Sequence, residues 1–117
     1  MLTITLDEGQ IFDIISILNV KILKSSGQTK DNIIENYQFL SNEIKSQIGE
    51  SLFNKIICSD EYKDLFNANK KTFEAVDLAK TDSIPASEAY GLNNDRFNKK
   101  IALQNKFFNS SCKEIKI

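Results

Sequence analysis

Two runs of helical apolar spacing, separated by little more than a glycine, constrain this chain more than any other feature. Over residues 8–26, Ile11, Ile15, Leu18 and Ile22 recur at intervals of three and four, and Ile14, Ile17 and Leu23 widen the stripe. Such intervals place side chains on one face of a helix. Gln10, Asp13, Ser16, Lys21 and Lys24 fall in a narrower polar stripe on the other side, so this helix is expected to be central to the core. Asp7 stands where an N-cap belongs, with Gln10 at the capping-box position, and Gly27 is placed to end the helix in a left-handed cap. A second helix is expected over residues 30–48, capped by Thr29 and stopped by Gly49. Its stripe is Ile33, Tyr37, Leu40, Ile44 and Ile48, close to a heptad spacing. So short a connection folds the pair into an antiparallel hairpin.

The rest of the chain reads in the same way. Residues 51–58 fit one short helix through Leu52, Phe53, Ile56 and Ile57. Ser59 or Asp60 can cap a longer one reaching residue 80, with Leu65, Phe66, Phe73 and Val76 inward. Its polar middle, residues 67–72, invites a kink or a break. Residues 81–83 read as a turn, and Pro85 suits the first position of a last helix. That helix would use Tyr90, Phe97, Ile101 and Phe108 at helical spacing, although Gly91 and the asparagines weaken its first half. Residues 2–6 and 112–117 alternate apolar and polar, which predicts two terminal strands that pair with each other. The fold class is therefore mainly α: an antiparallel bundle of three to four helices with a small two-stranded sheet formed by the termini. Residues 1–117 make a single domain, since a chain of this length buries one core and not two.

Composition narrows the chemistry. With no histidine in 117 residues there is no histidine general base, no Ser-His triad and no zincin site. A net charge of −1 gives no basic footprint for nucleic acid. No apolar run approaches the roughly 18 residues that span a bilayer, and the first residues lack the positive start of a secretion signal. Cys58 and Cys112 match no metal or redox spacing and read as reduced thiols in a cytoplasmic protein. No cofactor is implied. The excess of Ile, Asn and Lys suggests an AT-rich genome, that of a bacterium or of a virus infecting one. Eleven aromatic residues include no tryptophan, and Phe12, Tyr37, Phe39, Phe73, Phe97 and Phe108 sit at helical spacings that suit a core.

Three constellations carry whatever chemistry the chain has. Fourteen of the fifteen basic residues are lysine, and the single arginine is Arg96 in the run Asn93-Asn94-Asp95-Arg96. A guanidinium offers a planar fork of donors that an ammonium lacks, so Arg96 can clamp a carboxylate or phosphate while Asn94 and Asp95 orient it. On a structural reading, the asparagines cap or break the helix and Arg96 pairs with an acid on a neighbouring helix. Second, Asp13 and Lys21 are eight residues apart, too far along a helix to pair with each other. Each is expected either to face the last helix, where Asp13 finds Arg96 as its natural partner, or to be solvated. Third, Glu74 and Asp77 are three apart and could share a divalent cation, as in the all-α nucleotide pyrophosphohydrolases. No second acidic pair stands at that spacing on a neighbouring helix, so no metal is expected.

Four stretches, in one register across nearly the whole chain, resemble an uncharacterised bacterial family of small helical proteins known as a domain of unknown function. Residues 9–21, Gly9-Gln10-Ile11-Phe12-Asp13-Ile14-Ile15-Ser16-Ile17-Leu18-Asn19-Val20-Lys21, are similar to that family's G-E-L-x-D-K-I-T-I-L-x-x-K. Asn69 to Asp77 resembles N-x-x-L-W-x-I-E-D, with Phe73 in place of tryptophan. Asn94-Asp95-Arg96 followed by Lys99-Lys100-Ile101 resembles the family's N-D-R and K-x-x-I, and Glu114-Ile115-Lys116 its terminal E-x-K. Gln10 and Ile14 depart from the family's glutamate and lysine. The resemblance implies no activity that carries over. Its members are often encoded near surface-polysaccharide glycosyltransferases, which implies an accessory role.

The sequence thus leads first to a non-enzymatic interaction or accessory module, paired with a protein partner or as a homodimer. The alternative is a binding or catalytic site for an anionic small molecule, a phosphate or sugar-nucleotide, built from Asp13, Lys21, Asp77, Asn94, Asp95 and Arg96 and centred on the last two.

Overall fold

The structure, a computed structural model, describes residues 6–80 and 86–108, and for residues 76–80, 86, 87 and 89 the backbone alone. Five helices follow in order: α1 (Glu8–Lys24), α2 (Gly27–Ile48), α3 (Glu50–Ile57), α4 (Asp60–Lys80) and α5 (Ala86–Phe107). The fold is mainly α, with five helices among the described residues instead of three to four. The short α3, expected over residues 51–58, takes the number past the three to four of the expected bundle, and Gly49 separates it from α2. Its φ of 93° is open to glycine at little cost, and a Cβ there would meet nothing, so the backbone angle and not space calls for glycine. Apart from Leu6, which is in no strand, the predicted terminal strands and their sheet lie outside the described residues. The turn at 81–83 and Pro85 lie outside them as well.

Local chemistry explains the boundaries. Ser59 caps α4: its Oγ accepts from the Tyr62 N–H at 3.1 Å and donates to the Ile56 carbonyl at 2.6 Å. Gly27 is left-handed at φ 63°, but it opens α2 instead of closing α1, which ends two residues earlier in extended backbone at Ser25. Thr29 is consequently inside α2 and not its cap. The polar stretch 67–72 neither kinks nor breaks α4. Asn69 turns inward, and Thr72 donates from Oγ1 to the Ala68 carbonyl at 2.9 Å.

The core draws from every helix: Phe12 and Ile15 from α1, Ile44 from α2, Phe53 and Ile56 from α3, Tyr62 and Leu65 from α4, Leu103 from α5. Phe12 meets the ring of Phe53 at 5.8 Å between centroids and that of Phe108 at 6.3 Å. Helix α1 is central, packing against α2, α4 and α5. Helices α4 and α5 run antiparallel, with Lys106 near the end of one reaching Glu61 near the start of the other at 3.6 Å. Two groups of aromatic residues leave the expected core. Phe39 is exposed on α2, and Tyr90 and Phe97 are exposed on α5 together with Ile101. The α5 side chain at the centre of the core is Leu103, fully buried.

Candidate functional site

In the polar stripe of α1, Lys21 and Lys24 are exposed but Asp13 and Ser16 are not solvated. Asp13 and Ser16 are 2% and 0% exposed, as buried as the neighbouring Phe12 and Ile15. A buried carboxylate is costly unless it is paired and hydrogen-bonded, and two partners, Asn69 and Arg96, meet that cost. Asn69 on α4 splits its amide protons, donating from Nδ2 to Asp13 Oδ1 at 2.9 Å and to Ser16 Oγ at 2.5 Å. Ser16 Oγ passes its own proton to the Asp13 carbonyl at 2.9 Å. From α5, Arg96 Nη2 stands 3.7 Å from Asp13 Oδ2, a charge pairing longer than a hydrogen bond. Asp13 thereby fixes the position of α1 relative to both helices of the α4–α5 hairpin.

The same side of α1 continues along α5. Arg96, Lys100 and Gln104 are spaced by four and share one helix face. Lys100 Nζ donates to Gln10 Oε1 at 2.8 Å, so Gln10 serves α5 and not a capping box. Asp7 makes no side-chain cap bond. Its role passes to Gln104, whose Oε1 accepts the Gly9 N–H at 2.5 Å while its Nε2 donates to Glu8 Oε1 at 2.9 Å. The first N–H groups of a helix have no partner within it, and here another helix supplies one. Gly9 permits the approach: a Cβ there would lie 3.0 Å from the Lys100 carbonyl oxygen and 3.1 Å from Gln104 Cβ.

Of the six candidate residues, the structure brings together Asp13 and Arg96. Lys21 is exposed, as are Asn94 and Asp95. Neighbours in sequence on a helix do not share a face, so the turn that points Arg96 at α1 leaves its predicted companions outside. The Asp77 side chain lies outside the described residues. Its predicted companion Glu74 accepts from Lys24 Nζ at 2.6 Å, and that hydrogen bond holds its carboxyl below the ordinary carboxylate range. Among the described residues no three of His, Cys, Asp and Glu cluster to hold a metal ion. No described helix is long and apolar enough to cross a membrane. Asn69, Ser16, Gly9 and Gln104 belong to this network although none of them is among the predicted site residues. A lone glycine in the first turn of an otherwise apolar helix was the available signal.

The opposite face of α5 has the reverse character. Tyr90, Phe97 and Ile101 are 76%, 50% and 40% exposed. Between and beside them lie Asn94, Asn98 and Asn105, all exposed, and none of the six carries a charge. Lys100 Nζ approaches the Phe97 ring from one side, 5.2 Å from its centroid. Gly91 has nothing within reach of a Cβ, so no contact within the described chain accounts for it.

No family model matches this chain, and no curated protein or solved structure matches it.

Proposed function

We propose that this protein is a non-enzymatic interaction module that pairs with a second copy of itself through the outer face of α5. The observation that carries the reading is the uncharged face of Tyr90, Asn94, Phe97, Asn98, Ile101 and Asn105. In a chain with 26% charged residues, an exposed helix face is normally where the charges go. Charge depletion together with exposed aromatic side chains is the composition of an interface centre. A neutral face is also compatible with itself, because a two-fold pairing superposes like on like and brings no repulsion. A crossing of α5 on its copy, centred between Asn94 and Phe97, would bury Tyr90 and Ile101 at both ends. Three exposed apolar side chains make a small centre for an interface, so the pairing is weak and concentration-dependent.

The polar side of α5 supports a structural role for the residues that first suggested a site. Arg96 is directed at Asp13 while Asn94 and Asp95 are exposed on other sides of the helix, so the anion site centred on Asp95 and Arg96 has less support than pairing. The accessory role implied by the resemblance to the helical family of unknown function fits an interaction module. The cytoplasm suits the exposed free thiol of Cys58, which an oxidising compartment would not leave reduced. Sedimentation equilibrium of the parent protein across micromolar to millimolar concentration tests the reading. The average mass is expected to climb from monomer towards dimer, and a constant monomer mass throughout would overturn it.

A further inference from the structure

Away from α5, the first four helices converge on an open groove of about 440 Å³. That volume falls within the roughly 300–1,000 Å³ of small-molecule sites. Its walls are apolar: Ile22 and Leu23 from α1, Ile57 from α3 and Phe66 from α4. Leu23 is 59% exposed here, on a helix whose neighbouring Val20 is fully covered. The polar part of the lining is already satisfied, since Asn19 donates from Nδ2 to the Tyr62 hydroxyl. Burial raises the Tyr62 hydroxyl far above the ordinary tyrosine range, so it remains neutral. Two cations complete the lining, Lys30 from α2 and Lys63 from α4. Among the described residues neither takes part in an ion pair, and no carboxylate lines the groove.

We propose that this groove binds a small anionic amphiphile, an aliphatic or aromatic body against Ile22, Leu23, Ile57 and Phe66 with one carboxylate or phosphate met by Lys30 and Lys63. Apolar walls with a few placed polar groups are the common plan of ligand sites. Two ammonium groups without a carboxylate among the lining residues select for negative charge. The inference is independent of self-pairing, which uses the far side of α5. It also differs in place from the anion site suggested by Asp95 and Arg96, while keeping the charge of the ligand.

Calorimetric titration with decyl phosphate below its micelle-forming concentration, followed by amide chemical shifts of labelled protein, tests it. Decanoate, decanol and inorganic phosphate serve as separate arms. Saturable one-to-one binding of decyl phosphate or decanoate is expected, with shifts at Asn19, Leu23 and Lys63. Decanol and phosphate alone should each bind about tenfold more weakly or worse, the loss that follows when one charged contact or the apolar contact is absent. The double variant K30E/K63E should lose about tenfold or more in affinity with its melting temperature retained. Leu23→Glu, at an exposed position that the fold tolerates, should weaken binding as well. Decanol binding as tightly as decyl phosphate, undiminished binding by K30E/K63E, or shifts confined to Tyr90 and Phe97 would each overturn the proposal.

Discussion

Helix α5 has two faces, and they are the reverse of what a surface helix normally presents. Inward, towards α1, it sends Arg96, Lys100 and Gln104; outward, it shows Tyr90, Phe97 and Ile101. The inner face is polar because the side of α1 that it meets is polar, with Glu8, Gln10 and Asp13 in matching positions. Leu103, beside this polar ladder, carries α5 into the apolar core, and Phe107 packs against that core. The difference teaches that apolar periodicity locates the face of a helix that is to be covered without saying which chain covers it. On α1 that face is covered by α2 and α4. On α5 nothing among the described residues covers it.

The sharpest way to break this comparison is to truncate two residues that are two positions apart on opposite faces. Leu103→Ala removes a side chain with 0% exposure, and buried leucine truncations cost about 2–5 kcal/mol. Ile101→Ala should cost roughly 0.5 kcal/mol or less in the monomer, as surface substitutions generally do. Urea unfolding of both variants at low concentration measures the gap, and equal losses would place Ile101 in the core. Next comes the inner face itself. Arg96→Ala leaves the Asp13 carboxylate with Asn69 alone and should destabilise by about 2–3 kcal/mol, discounted for the part-exposed guanidinium. Arg96→Lys retains the charge and should cost about 1 kcal/mol, a drop of roughly 3–6 °C in Tm for a domain of this size. An unchanged melting temperature in both variants would mean that the pair holds nothing up.

How much of this was legible differs by element. The start of α1, the stop of α2 at Gly49 and the Ser59 cap fall where spacing and cap chemistry put them, whereas the end of α1 and the start of α2 do not fall where Gly27 and Thr29 put them. The Asp13–Arg96 pairing is one of the two outcomes that the polar stripe of α1 allows, a solvated face being the other. The inward turn of Ser16 and Asn69 was not legible. A serine and an asparagine within helical runs carry no mark that distinguishes an inward hydrogen bond from a solvated face, and the stretch 67–72 consequently read as a kink. The outward turn of Tyr90 and Phe97 was illegible for a related reason: their spacing defines a stripe, and the stripe alone names no partner. The sheet predicted for the termini falls outside the described residues, so it adds nothing to this comparison.

Smaller effects sharpen the picture of how α1 and α5 meet. Gly9→Ala should push a methyl group against the Lys100 carbonyl and Gln104, costing about 1–3 kcal/mol where helix propensity alone would favour alanine. A gain in thermal stability instead would mean that the two helices are not so close. Smaller still is a pH effect on the far side of α1. Burial raises the folded-state pKa of Tyr62 above the ordinary value of 10.0, so its contribution is intact below that pH. It is lost as pH climbs towards the raised value, because the unfolded chain ionises first. Stability of the parent should fall above about pH 10, and Tyr62→Phe, at the cost of roughly 1 kcal/mol for the Asn19 hydrogen bond, should fall less steeply. Parallel slopes in the two proteins would remove Tyr62 from the account.

The central claim is that the apolar face of α5 belongs to an interface and not to the monomer's own core. Sedimentation equilibrium of Phe97→Asp beside the parent, at concentrations where the parent pairs, tests it most directly. The account predicts a folded Phe97→Asp that remains at monomer mass, because each copy would bring a charge into the centre of the contact. A variant that pairs as readily as the parent would contradict it, and would move the shared surface elsewhere on the molecule.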